Sequence, residues 1–175
     1  MARRAPRLSL PCYAGAVRCF FTICTADRRP YFANLALGST VLAELRHVSA
    51  ATDIAVLAYC LMPDHAHLLL EGRSRLSEPL ACVTRWKHRT AYHFRRAMGR
   101  RLWQEGYYDR ILRPHEESID VAAYVLNNPI RAALADCLGE YALSGSDIYT
   151  AAELTEALQS RVPWRWRRPI GPTVG

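Results

Sequence analysis

The alternation of apolar and polar positions divides the chain into short segments. Val17 to Thr25 (VRCFFTICT) is β-branched and aromatic, the composition of a strand. Asp27 to Pro30 makes a turn, and Leu37 to Ala51 carries apolar residues at helical spacing. Ile54 to Met62 (IAVLAYCLM) is a second strand, broken at Pro63-Asp64. His65 to Glu71 (HAHLLLE) follows as a third, so the two form a hairpin that Gly72 ends. Leu76 to Met98 is the longest helical stretch, with Leu80, Val83, Phe94 and Met98 as its expected buried stripe. Trp103 to Leu112 contains Gly106 and then YYDRIL, a fourth strand. Glu116 to Asn127 and Pro129 to Leu138 read as two helices joined at Asn128-Pro129, the second closed by Gly139.

The order β-α-β-β-α-β-α-α, with a hairpin in its middle, predicts an α+β fold. A central antiparallel sheet would carry helices on one face, in a ferredoxin-like or RRM-like layout. Residues 1–16 read as a basic arm, 17–150 as the domain, and 151–175 as a helix followed by a basic Trp/Arg tail.

Composition narrows the classes. The longest uninterrupted apolar run has nine residues, against about 20 for a bilayer span. The basic N-terminus has no apolar signal core behind it, so export is not expected; the expected location is the cytoplasm, in association with the nucleoid. Six cysteines form no C-x-x-C pair, and a reducing compartment would keep them as thiols. Cys19 and Cys24 are five apart in a strand, so they point to opposite faces. Charge says more. The formal +7 rests on 22 arginines and the single lysine, Lys87. Arg73 to Arg113 carries a net +8, whereas Pro114 to Ser160 carries −7. A one-sided basic field of guanidinium forks suits a polyanion partner.

Two pairs of residues carry candidate chemistry. His65 and His67 flank Ala66 on a strand, so both imidazoles leave one face, roughly 6 to 7 Å apart along it. Two histidines need a further ligand to fix a metal. Glu71 is about 13 Å beyond His67 and cannot supply it. Asp64 points away if the strand already runs there. Tyr124 and Asn128 are four apart on a helix whose core stripe is Ile119, Ala122, Ala123 and Leu126. Their row, with Asp120, lies off that stripe. An amide oxygen from Asn128 would complete a two-histidine site and put the Tyr124 hydroxyl one turn away. Each pair also has an ordinary reading: half-exposed strand histidines, a packing tyrosine, and an N-cap ahead of Pro129. Arg85, Arg89, Tyr92 and Arg96 form one exposed helical stripe able to track a phosphate backbone, continued by Arg100 and Arg101, or else a solvated face. The tail's Trp164, Arg165, Trp166, Arg167 and Arg168 suit stacking on unpaired bases or docking on the domain.

YCLMPDHAHLLLE (59–71), LWQEGYYDRILR (102–113) and YVLNNPIRAAL (124–134) together resemble the REP-associated tyrosine transposases. These are single-tyrosine HUH transposases of IS200-like insertion elements. The opening MARRAPRLSLP and ADRRPYF (26–32) are similar to the same family's N-terminal region, and the likeness spans roughly residues 1–147. It implies His65 and His67 as the metal-binding pair, Tyr124 as nucleophile and Asn128 as third ligand. It implies a divalent ion, Mg2+ or Mn2+, and single-stranded or hairpin DNA as partner. It also implies no membrane, and a monomer or homodimer. Two departures stand out: Asp64 where asparagine often precedes the histidines, and CFFTICT where polar, His-containing versions are common. The expected activity is cleavage and rejoining of DNA through a 5′-phosphotyrosine. The alternatives are a non-catalytic nucleic-acid-binding module stacking bases on Phe20, Phe21 or Tyr59, and a metal-dependent phosphodiesterase using water.

Overall fold

The computed structural model describes residues 13–114 and 116–160; the expected tail, and nearly all of the expected arm, lie outside them. Five strands form one antiparallel sheet in the order β4-β1-β3-β2-β5. They are β1 (Arg18–Cys24), β2 (Ile54–Met62), β3 (His65–Gly72), β4 (Tyr108–Ile111) and β5 (Ser144–Gly145). The helices are α1 (Leu35–Ala51), α2 (Pro79–Met98), α3 (Ser118–Leu126), α4 (Asn128–Arg131) and α5 (Ala151–Ser160). The α+β class with a central antiparallel sheet is as expected.

The covering of the sheet differs from the expectation of helices on one face. Cys19, Phe21 and Ile23 of β1 join Ala66, Leu68 and Leu70 of β3 under α1 and α2. The alternate residues Phe20 and Leu69 pack instead with Val121, Ala122 and Val125 of α3 and Leu154 of α5. Both faces are therefore buried, and all nine residues of β2 are buried with them. A register shift between Val56 and Ala58 changes which residues of β2 face which side. Leu57 and Ala58 both turn to the α3 face, after which alternation resumes. The acidic, short-helix part of the sequence forms this second layer. The continuous apolar run of β2 is the mark of a strand buried twice.

Several helix details follow from neighbours that local pattern cannot see. On α2, Trp86 completes the buried stripe and donates its indole N–H to the Val41 carbonyl at 2.9 Å. Met98, expected inside, is exposed. On α3, Val121 and Val125 are fully buried, whereas the expected core residue Ile119 is only partly so. The helix expected over 129–138 stops at Arg131. Ala133 takes a left-handed φ of 54° and Leu134 N–H closes on Pro129 O at 2.9 Å. The chain is then free to lay β5 beside β2.

Gly72 marks a close approach that the sequence shows only as a strand end. A Cβ there would lie 2.0 Å from the Gly15 carbonyl oxygen. Gly72→Ala is expected to destabilise the fold by about 2 kcal/mol, since backbone must shift to make room. Urea unfolding reads this directly, and a variant as stable as wild type would contradict the contact.

Candidate functional site

The site is built where β1 leaves the sheet and β3 enters it. Antiparallel register pairs Thr22 with His67 and Cys24 with His65. Thr22 and both histidines thus share the face covered by α3. The turn that leads into β3 is tied down by Thr25, whose N–H and hydroxyl both donate to the Asp64 carbonyl, at 3.0 and 2.9 Å. Phe32 N–H donates to Pro63 O at 3.0 Å.

The imidazoles converge. His65 Nε2 and His67 Nε2 are 3.1 Å apart, although their backbones are two residues apart on an extended strand. Each ring is held from behind by its other nitrogen. His65 Nδ1–H donates to Asp64 Oδ1 at 2.6 Å, and His67 Nδ1 lies 3.0 Å from Thr22 Oγ1. The carboxylate fixes the His65 tautomer with its Nε2 lone pair facing His67. Two lone pairs cannot face each other at that distance, so either a proton on His67 Nε2 or a cation lies between them. With metal–nitrogen bonds of about 2.1 Å, a 3.1 Å separation corresponds to two adjacent ligands of one ion. Such orienting partners are what a metal-binding histidine requires. The residues fit a divalent ion on this ground.

Burial holds His67 neutral. Its pKa is pushed down to about 3, first by desolvation, then by His65 and by the cations Arg28 and Arg131, with Asp64 opposing. Phe20 stacks on the His67 ring at 5.6 Å, and Tyr124 meets it edge-on at 6.5 Å. Tyr124 also meets Phe20 at 6.4 Å, and the Arg131 guanidinium sits 5.6 Å from the Tyr124 ring centre. Asn128 opens α4, where its Nδ2 donates to the carbonyls of Tyr124 and Val125 at 2.9 and 3.1 Å. Its amide is thereby anchored to the last turn of α3. Among the described residues, no third His, Cys, Asp or Glu joins the two histidines.

The structure thus brings His65, His67 and Tyr124 together, with Asn128 tied to the same helix end. Arg85, Arg89, Tyr92, Arg96, Arg100 and Arg101 are all exposed, as expected. Helix α2, which carries the first four of them, lies on the other side of the sheet, however. Arg89 pairs there with Glu44, and Arg96 donates to the Tyr92 hydroxyl at 3.2 Å. Four partners were not legible beforehand. Thr22 becomes visible only through strand register. Asp64, expected to point away, lies in the turn rather than in β3, which frees its carboxylate to reach His65. Arg28 and Arg131 approach from distant segments. The rings offered for base stacking are buried: Phe20 is 1% exposed, Phe21 0% and Tyr59 8%.

Residues 16–128 match the family described as IS200-like transposases. The chain resembles the solved structure of a REP-associated tyrosine transposase bound to a REP hairpin. That likeness has a TM-score of 0.65 and 14% identity, over 81% of this chain and 82% of the other. It shows the fold. A second structure, described only as a candidate transposase from Deinococcus radiodurans R1, aligns over 66% of this chain and 88% of its own, with a TM-score of 0.46 and 17% identity. Among curated proteins, none matches the chain.

The neutral burial of His67 has a pH signature. The unfolded chain takes up a proton here below its ordinary value of about 6.5, which the folded chain refuses until about 3. Acidification across that window should therefore destabilise the fold, by up to about 1.4 kcal/mol per pH unit, and above it this group has no effect. His67→Gln should remove that part of the pH dependence in urea unfolding. Identical pH dependence in the two proteins would contradict it.

Proposed function

Because the chain belongs to the IS200-like transposase family, we propose that it cleaves and rejoins single-stranded or hairpin DNA through a covalent phosphotyrosine at Tyr124. The observation that carries this reading is the convergence of His65 and His67 at 3.1 Å beside the Tyr124 ring, 6.5 Å from that of His67. Base-binding alone needs none of these residues together, and the rings it would use are buried.

His65, His67 and the Asn128 amide oxygen would hold a divalent ion, Mg2+ or Mn2+. When bound, the ion withdraws charge from a nonbridging phosphate oxygen. The protein's own work is to aim the nucleophile. The Tyr124 oxygen forms a bond to phosphorus as the bond from phosphorus to the 3′ oxygen breaks. The phenol gives up a proton and the departing strand gains one, ending as a 3′-hydroxyl. The 5′ side stays on Tyr124 as a diester, which keeps the bond energy for attack by another 3′-hydroxyl. Hydrolysis by water would discard it. Imidazole ligands favour manganese, cobalt or zinc over magnesium, so supply decides the working ion.

In this reading Arg85, Arg89, Tyr92, Arg96, Arg100 and Arg101 contact the DNA away from the reacting bond. The end of α2 leads towards the site. Leu102 O accepts from Ala26 N–H at 2.9 Å, and Gln104 N–H donates to Cys24 O at 2.9 Å. The protein would act on chromosomal DNA in the cytoplasm, as a monomer or homodimer.

Wild-type protein incubated with hairpin oligonucleotides and manganese should give a protein–DNA adduct that survives denaturing electrophoresis. Tyr124→Phe should give none, while binding the same DNA with nearly unchanged affinity. Nicking by Tyr124→Phe at the wild-type rate would mean that water is the nucleophile. Thr22→Val, Asp64→Asn and Asn128→Ala should each weaken manganese binding by about 10- to 100-fold in calorimetric titration, the first two through ring orientation. Unchanged affinity in all three would remove the metal from this reading.

A further inference from the structure

Six side chains from four separate parts of the chain form one continuous row across the site. Arg28 Nε lies 3.4 Å from Asp64 Oδ2, Asp64 holds His65 at 2.6 Å, and His65 meets His67 at 3.1 Å. His67 meets the Tyr124 ring at 6.5 Å, and Arg131 closes the row 5.6 Å from that ring's centre. The middle of the row is uncharged or internally compensated, and each end is a guanidinium open to solvent.

The placement of Arg28 costs backbone strain. Asp27 and Arg28 both take a left-handed φ of 55°, a conformation that L side chains disfavour. Two such residues in sequence turn the chain sharply at the end of β1. The guanidinium is thereby set over the site, with Nη1 also donating to Cys24 Sγ at 3.2 Å. Its side chain still exposes 53% of its surface. Arg131 reaches the opposite end from the last residue of α4, just before the left-handed Ala133 turns the chain away.

We propose that Arg28 and Arg131 are the contacts for the phosphates that flank the cleaved bond, one on each side, so that a single strand crosses this face from Arg28 to Arg131. This rests on the reading of Tyr124 as nucleophile, and it separates two basic surfaces. The outer face of α2 lies beyond the sheet from Tyr124 and suits a distant part of the DNA. The two arginines of the row are the cations positioned at the reacting bond. A guanidinium fork matches two phosphate oxygens, and a strand spanning two such forks is held in register without base contacts.

The test measures binding in the Tyr124→Phe background, with chelator present, so that neither chemistry nor metal contributes. The probe is a labelled oligo(dT) strand of about 20 nucleotides, followed by fluorescence anisotropy over a salt series. Arg28→Gln and Arg131→Gln should each weaken binding about 10-fold and flatten the salt slope by about 0.7. Arg28→Lys and Arg131→Lys should retain most of the slope. Arg75→Gln, at an exposed arginine beyond the far end of β3, serves as control and should change nothing beyond twofold. A melting temperature equal to wild type marks each variant as folded, and if a glutamine variant melts early the lysine variants with a methylphosphonate-substituted strand carry the comparison. Slopes equal to the Arg75→Gln control in either glutamine variant would overturn the proposal. Failure of the reading it rests on shows elsewhere, as absence of a covalent adduct with wild-type protein and manganese.

Discussion

The antiparallel pairing of β1 with β3 fixes almost everything else. It sets Thr22 opposite His67 and Cys24 opposite His65, and it puts Ala66, Leu68 and Leu70 on the other face. Side chains on a strand alternate, so a slip of one residue would exchange the two sets. The histidines would then enter the apolar layer under α1 and α2, and Ala66, Leu68 and Leu70 would face α3. Burying two imidazoles without partners is costly, and the layer under α1 and α2 would lose three of its apolar side chains. The register that fills the core is therefore the one that assembles the site.

The face that carries the site is unusual in being covered. A sheet that binds nucleic acid on its open face offers exposed rings; here Phe20 is sealed beneath α3 and serves as a wall for His67. Covering the face excludes water from the His67 imidazole. That in turn explains the neutral state of His67, since Asp64 opposes its desolvation without outweighing it. A neutral, oriented imidazole is a ligand ready to bind. A protonated one would first have to lose its charge.

Electrostatics are divided between two sides of the molecule. The basic α2 face and the acidic C-terminal half, read along the chain as opposing charge blocks, lie in different layers of the fold. Cations approach the site from neither block alone. Arg28 comes from a strained turn after β1, and Arg131 from the acidic half, where it is the single basic residue between Pro114 and Ser160. Strain at Asp27 and Arg28 is the kind of local cost that a fold retains where a side chain must be aimed.

Elements that depend on near neighbours follow from the local pattern of residues. Period-two alternation put His65 and His67 on one face, and the Pro63-Asp64 break made the hairpin. Spacing of four lifted Tyr124 and Asn128 off the α3 core. These are consequences of backbone geometry and hold wherever the segment sits. Tertiary structure decided what depends on distant segments. The β1–β3 register named Thr22, and turn geometry delivered Asp64 to His65. The second layer of helices closed over the site, since helical periodicity does not say which face of a sheet a helix will cover. It also shortened the helix after Asn128, where the need to pair β5 with β2 outweighed the local preference of NPIRAALA for continued helix.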